Sequence, residues 1–548
     1  MFIYKDCASI IFKFISIRGF GAMKILKHYL IRLSSFTAIA VMVVFSIQTI
    51  ILNMINPTET ATALSITSIT PNIGSIDGGE LVTITGDFGI PTDVPLNIVE
   101  ISAGTNHTLA LDSNGQIWAW GANGNGQLGN GTNTASSVPV EVDMTGVLYS
   151  RDIIQIVGGA PHTLALDSEG QIFAWGLNTS GQLGDGTNTN SNIPVAVDIT
   201  GALAGRRVVQ IAASHHASLA LDSEGRVFSF GGNWSGQLGD DTNINSNIPV
   251  EVDMTGVLAG RRVVQIASGN EHYLALDSEG QIFAWGLNTS GQLGNGTFTN
   301  SSVPVEVDMT GVLAGRDIVQ ISTSTSHSLA LDSEGRIFTW GNGGSGQLGN
   351  GTNTASSVPV EVDMTGVLAG RRVVQIAAGG DHTLALDSSG QIWTWGGNAN
   401  GQLGDGTNTA SNVPVEVDMT GVLAGRDIVQ MTTGNSYSLA LDSEGRVFAW
   451  GAGGAFGNGT NTGSNVPIAI TNFGQGLIDS LDLSVTMGGS PCTNVRVVNP
   501  TTITCITPAH PAGVVDVTVR TLHGSVTLYQ SYTFIDLPDV PNTGHERL

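Results

Sequence analysis

A histidine recurs in this 548-residue chain at His107, His162, His272, His327 and His382, always just before a Leu-Ala-Leu run. Two copies of the pattern depart from it. One has Ala217, with His215 and His216 beside it, and the other has Tyr437. An aspartate recurs with stricter regularity at Asp112, Asp167, Asp222, Asp277, Asp332, Asp387 and Asp442, every interval being 55 residues. Imidazoles and carboxylates are the side chains of metal sites and of acid–base catalysis, so both sets need a reading. Copies of one structural unit would be spread through space, too far apart for the roughly 2 Å bonds of a single metal ion. Each imidazole is expected instead to bond to backbone within its own repeat. An acid and a base need unlike environments, whereas these carboxylates have like ones. They read as a turn device. The Asp185-Gly-Thr-Asn188 type of loop suggests calcium but lacks the dense carboxylates such a site needs. No nucleophile elbow, P-loop, zinc spacing or dinucleotide fingerprint stands out. The expectation is a protein that is not an enzyme, with no metal and no cofactor.

A fixed period of 55 residues, seven times over, means an array of one supersecondary unit. Each unit carries four β-like runs. In the fourth copy they are Val263–Ala267, Tyr273–Leu276, Gln281–Trp285 and Val303–Val307. Asp-Ser-Glu-Gly at Asp277–Gly280 fits a tight hairpin, with Gly where φ is positive. Four short strands per unit predict a propeller with one blade per repeat. The alternative, an open solenoid, would leave two apolar end faces without caps.

The pattern G-x-x-H-x-L-A-L, then G-x-[IV]-[FW]-x-W-G-x-N-x-x-G-Q-L-G-x-G-T, resembles the regulator of chromosome condensation repeat. That resemblance implies a seven-bladed β-propeller. The third copy departs with Phe230-Gly231 for Trp-Gly and Asp241 for Gly. The seventh shortens to Gly451–Gly457 and loses Gln-Leu. Val94-Pro95 echoes the Val-Pro of each fourth run and is expected to help close the ring.

The flanks carry a second resemblance. Ile66–Ile69 and Leu81–Thr85 look like the opening strands of an immunoglobulin-like IPT/TIG domain. Its later strands appear some 390 residues on, at Leu483–Cys492, Thr502–Pro508, Val514–Val519 and Tyr532–Phe534. The expectation is one β-sandwich split by an inserted propeller, since a closed ring brings its own ends together. The match includes the family's cysteine pair, Cys492 and Cys505. In an exported chain these read as a disulfide, with two buried thiols as the alternative. The expected domains are therefore 1–65, an export segment; 66–93 and 475–536, the two parts of the sandwich; 94–474, the propeller; and 537–548, a flexible tail. The whole is all-β apart from an N-terminal apolar helix. Val540–Gly544 in the tail loosely resembles a sortase-sorting pentapeptide, without the apolar segment and basic end that should follow.

The export segment rests on Lys24, Lys27 and Arg32, if Met23 is the start, followed by an uncharged and mostly apolar stretch over 34–55, long enough to span a bilayer. Ala61-Thr62-Ala63 resembles a cleavage site. Cleaved signal and uncleaved anchor are both open, and either puts the rest of the chain outside the cytoplasm. Beyond residue 63 the chain has 15 Arg, no Lys, and 43 Asp+Glu. So acidic a surface repels phosphate backbones and argues against nucleic-acid binding.

Two loops vary between copies while the strands stay fixed, which is how repeat proteins present a binding face. One precedes the histidine position and contains His215, Asn270, Glu271 and Asp381. The other follows Trp-Gly and contains Trp234, a large aromatic among small polar residues. Such aromatics are enriched in interface hot spots; the alternative is that Trp234 folds back onto its own blade. Phe298, where other copies have Asn, is a further candidate. The expected function is a monomeric, exported or surface-held scaffold binding an extracellular protein or glycan. The repeat family also includes a nuclear exchange factor for a small GTPase and secreted bacterial inhibitors of β-lactamase. An exchange factor is thus the second expectation, although the export segment and the missing basic surface speak against it. A propeller-borne lyase or hydrolase is the third and lacks an acid–base pair.

Overall fold

The computed structural model describes residues 64–88, 97–470, 483–499, 502–521 and 524–535. Residues 1–63 of the export segment, Val94-Pro95 and the tail lie outside these residues, and Ser65 already belongs to the sandwich strand Ser65–Thr70. Among the described residues no helix is long and apolar enough to cross a membrane.

The described chain is all-β. Each repeat folds into its own four-stranded antiparallel sheet of consecutive strands, and there are seven such sheets among the described residues. They are called blades one to seven below, in chain order. In the fourth blade the strands are Val263–Ser268, His272–Asp277, Ile282–Gly286 and Ser301–Glu306. The first three lie within a residue of the runs read from sequence. The fourth starts two residues early. First strands of successive blades adjoin one another, and the seventh blade's adjoins the first's, so the sheets close a ring. The second and third strands are buried at every position, because neighbouring blades cover both faces. Burying each Leu, Phe or Ile there contributes about 1.5–3 kcal/mol. The fourth strand is the exposed outer edge. Its Pro304, which has no N–H to donate, falls where the register with the third strand shifts, between Ala284 and Gly286.

The seventh blade also contains four strands of its own, the last being Ser464–Ile470. No N-terminal strand completes it among the described residues.

The flanks form a sandwich of two sheets. In the first, Leu81–Asp87 lies between Ser65–Thr70 and Thr502–Ile506, with Leu81 opposite Ile506 and Thr85 opposite Thr502. In the second, Ile73–Ser75 pairs in parallel with Gly524–Ile535. Segments some 420 residues apart therefore share one core, which includes Val82, Ile84, Met487, Ile503, Val517 and Phe534. Thr507 ties the halves further: its N–H donates to Glu80 O and its hydroxyl to Glu80 Oε2.

The expected Cys492–Cys505 bridge is not formed. Both are free, buried thiols. They are close enough for the two thiols to hydrogen bond, and that bond, with burial, holds the Cys505 thiol well above the usual thiol range. The proximity read from sequence is present and the covalent bond is not.

Candidate binding face

The recurrent histidines do not bond to backbone in their own blades. Each Nε2 reaches across the seam to a hydroxyl one blade on: His107 to Thr163 (3.0 Å), His162 to Ser218 (2.9 Å), His272 to Ser328 (2.9 Å), His327 to Thr383 (3.0 Å) and His382 to Ser438 (2.9 Å). The cause is local. The residue three before the histidine is Gly in four of these blades, and at Gly379 a Cβ would come within 2.2 Å of the imidazole. The ring therefore lies over that glycine, towards the next blade.

These bonds fix the proton. Each hydroxyl donates its single hydrogen to the carbonyl of the Gln in Gly-Gln-Leu, as Thr163 does to Gln127 O and Ser218 to Gln182 O. It can only accept from the histidine, so Nε2 carries a hydrogen. Burial keeps each ring neutral, pushing His107 down to about 4 and the other four to about 3.

Two seams differ. Between blades three and four, Ala217 replaces the histidine and Tyr273 replaces the hydroxyl residue. The Tyr273 phenol reaches back to Ser214 Oγ at 2.7 Å. Between blades seven and one, Tyr437 replaces the histidine; its hydroxyl donates to His107 O (2.6 Å) and accepts from Thr108 Oγ1 (3.1 Å). Burial raises both phenols above the usual range.

The recurrent aspartates close the hairpins. Asp277 Oδ1 accepts the N–H groups of Glu279 and Gln281, and Gly280 turns at φ 81°. Asp277 Oδ2 accepts from Arg261 at 2.9 Å, and that guanidinium lies over the Phe283 ring. Asp112 and Asp387 also take an indole N–H, from Trp118 and Trp393 respectively. Asp167, Asp222 and Asp332 pair with Arg151, Arg206 and Arg316 in the same way, and Asp442 lies near Arg426. Among the described residues no group of three or more His, Cys, Asp or Glu could hold a metal. The Asp185 carboxylate is engaged by its own loop, through Thr187 and Asn178.

The two variable loops lie on one end of the ring. In every blade the backbone starting the second loop bonds to the first, as Gly232 N to His216 O and Leu287 N to Glu271 O. On this end the structure gathers most of the residues singled out by sequence. Trp234 meets His216 edge to face at 4.8 Å and stays 54% exposed; His216 stacks on His215 at 4.1 Å. Ser235, next to Trp234, donates to Glu271 Oε2 on blade four, beside Asn270. Both readings of Trp234 are thus partly met: one edge rests on its blade and half of it faces solvent. Burial lowers His215 to about 4 and also lowers His216, so both are neutral at pH 7. Phe298 is on blade four, 57% exposed, three residues before the strand whose start packs against Gly236 of blade three. Asp381 lies on blade six, apart from this group.

Sequence reading missed Ile244 and Glu100. Ile244 is 74% exposed and occupies a column that is otherwise Thr (Thr134, Thr189, Thr299). Its carbonyl is bonded by Asn233, the residue before Trp234. Comparing columns, as for Phe298, would have found it. Glu100 stands where the other copies have Gln. Gln155 shows the usual role: its carboxamide accepts from Ile211 N and donates to Ile211 O of the next blade. Glu100 accepts from Ile156 N, and burial raises its carboxyl to about 8.

Comparison with known proteins agrees with this geometry. The model of the RCC1-like domain matches residues 73–367, and those of the regulator of chromosome condensation (RCC1) repeat match 373–402 and 389–441. The IPT/TIG domain model matches 459–534; strand pairing adds Ser65–Asp87 to that sandwich. The chain is 32% identical over 382 residues to the ultraviolet-B receptor UVR8 of Arabidopsis thaliana, covering 69% of this chain and 83% of the receptor. It is 33% identical to the E3 ubiquitin-protein ligase HERC2 of Homo sapiens over 68% of this chain but only 7% of the ligase. Among solved structures, human WBSCR16 superposes with a TM-score of 0.57 at 25% identity, over 72% of this chain and 99% of that one. Prp20p of Saccharomyces cerevisiae superposes at 0.56 with 23% identity, over 72% and 91%, which shows the shared fold. The chain belongs to the RCC1-like domain family and carries an IPT/TIG domain.

Proposed function

With that family membership as the premise, we propose that this chain is a non-catalytic binding scaffold. In this reading a seven-bladed propeller (94–474) is carried on a split sandwich (66–93 and 475–536) and held outside the cytoplasm by residues 1–65. It engages a protein partner through the loop face over blades three and four. The observation that carries the reading is the appearance of three large exposed apolar side chains, Trp234 and Ile244 on blade three and Phe298 on blade four. Each replaces a smaller or polar residue of its column, and each is more than half exposed. Exposed large apolar side chains grouped on one face mark interaction sites. His215, His216, Asn270 and Glu271 supply a polar surround, as interface rims do.

The electrostatics favour a protein over a nucleic acid. Arg151, Arg206, Arg261, Arg316, Arg371 and Arg426 are held against carboxylates at the hairpin end of the blades. Arg207, Arg262 and Arg372 are spent on backbone carbonyls. Little positive charge is left for phosphate contacts.

Photo-crosslinking from position 298 of the full-length chain in intact cells tests the reading. The expected result is one recurrent extracytoplasmic protein adduct that disappears in the Trp234→Ala chain. Crosslinking to a cytosolic small GTPase would replace this reading with the exchange-factor one. Adducts unchanged by Trp234→Ala would remove the proposed surface.

A further inference from the structure

The seam between blades seven and one opens into a cleft. In the other six copies the glycine before Gln-Leu packs against the second residue of the next blade's fourth strand. A Cβ on Gly126 would lie 2.5 Å from Asn192 Cα, and one on Gly401 would lie 2.5 Å from Asn465 Cα. Blade seven lacks this contact, because its loop between Trp450 and Gly457 is two residues shorter than the loop between Trp395 and Gly404. A short 3-10 turn, Gly453–Ala455, stands there instead, and Ser137 on blade one is left without that neighbour. The backbone bond beyond the gap persists, from Gly459 N to Ser137 O at 2.8 Å, so the blades stay docked while the space above opens. The cleft has a volume of about 650 Å³, within the usual range for small-ligand sites.

Its lining holds no charged side chain. Four carboxamides converge on it: Asn106, Asn400, Asn435 and Asn461. Among the described residues, none of the four side chains has a hydrogen-bond partner. In blades one and six the counterpart of Asn461 is occupied: Asn133 accepts from Asn192, and Asn408 from Asn465. Ser137 takes the place of that partner at this seam and is too short to serve. The rest of the lining is mainly small, with Ala122, Ala135, Ala452 and Ala455 beside Gly121 and Gly454.

We propose that this cleft binds a neutral oligosaccharide, with Asn106, Asn400, Asn435 and Asn461 holding its hydroxyls. A carboxamide offers a donor and an acceptor side by side, which matches the vicinal hydroxyls of a sugar. The alanine methyl groups of the lining suit a sugar's C–H face. A peptide is the poorer fit, since the cleft is no apolar or aromatic groove and the strand edge beside it is already engaged at Ser137 O by Gly459 N. A phosphate or carboxylate ligand would find no cation here. The cleft is separate from the surface over blades three and four and does not depend on it.

The test is calorimetry and saturation-transfer NMR on the full-length chain with maltohexaose, cellohexaose and chitohexaose. At least one should bind. Asn435→Ala with Asn461→Ala should weaken that binding about tenfold or more, through the loss of their hydrogen bonds to the sugar. Replacing Gly451–Gly457 with the longer loop of blade six, GGNANGQLG, should fill the cleft and abolish binding while the ring stays folded. Trp234→Ala should leave binding unchanged, which separates this site from the proposed protein surface. Absence of binding to all three sugars would overturn the proposal, as would binding that survives the loop replacement.

Discussion

Five seams of the ring are sealed by one device and two by another, and the two exceptions are where the candidate sites lie. Where a histidine meets a hydroxyl, the facing loops carry mostly small polar residues. Where a tyrosine replaces one member of the pair, the surface above changes. At the seam of blades three and four, blade three gains Trp234 and Ile244, and Phe298 follows on the outer rim of blade four. Over the seam of blades seven and one the surface loses two residues and opens a cleft. The two tyrosines solve opposite problems. Tyr273 fills, from the following blade, the space that Ala217 leaves. Tyr437 reaches forward from the preceding blade and takes up three groups of blade one at once, Thr108, Gly104 O and His107 O. A ring of copies tolerates a departure at one seam when a larger side chain restores the buried contact there.

The comparison can be broken most directly at the closing seam. Tyr437→Ala removes a fully buried phenol and its bonds and should cost about 3–5 kcal/mol in urea unfolding. His162→Ala, at an ordinary seam, should cost about 2 kcal/mol, mostly the lost bond to Ser218 and a smaller cavity. Equal costs would mean that the closing seam has no special weight.

The second test asks whether the tyrosine seams are true substitutes. Ala217→His alone should destabilise by about 1–3 kcal/mol, because Tyr273 already fills the site. Tyr273→Thr alone should leave a cavity and cost about 2–4 kcal/mol. Together they rebuild the ordinary pair, and the double variant should recover at least about 1 kcal/mol relative to the sum of the single costs. Strict additivity would sink the idea that these positions compensate each other.

How much of this could be read in advance depends on distance along the chain. The 55-residue period and the four runs per copy are local, and they gave the blades nearly to the residue. The split sandwich was legible because a motif stopped at Gly89 and resumed at Leu483. The histidine partners were not legible. They lie 56 residues away in another copy, and a repeat looks alike whether its side chains bond inward or to the next unit. Nor could the sequence say that both variable loops share one end, since that follows from the antiparallel pairing of His107 with Gly121 and its equivalents. The cleft was visible only as a missing Gln-Leu. That loss becomes a space only when the facing residue, Ser137, is known.

The seams also differ in their response to pH. The five histidines have folded values of about 3–4 against an ordinary 6.5. Their seams are intact above pH 6.5 and lose stability as pH falls towards 4, because only the unfolded chain takes up protons readily. Glu100 acts in the other direction. Its folded value of about 8 exceeds the ordinary 4.5, so its contribution is whole below 4.5 and is lost as pH rises through 8. The urea unfolding free energy of Glu100→Gln should match the parent's at pH 4 and exceed it at pH 8.5 by about 1 kcal/mol, since a carboxamide can both donate to and accept from blade two. A gain that is the same at both pH values would show that Glu100 stays ionised in the ring.

The smallest effect bears on why the apolar tips exist at all. Ile244 and Phe298 are more than half exposed and touch little, so Ile244→Thr and Phe298→Asn should each change stability by no more than about 0.5 kcal/mol. Adding Ser357→Asn to Phe298→Asn should create a rim bond like that of Asn133 with Asn192 and raise stability by a few tenths of a kcal/mol. If the reverted rim is as stable as the native one or more so, folding does not require Ile244 and Phe298, and their exposure belongs to recognition. A clear loss of stability in the reverted chain would instead make these side chains part of how blades three to five hold together.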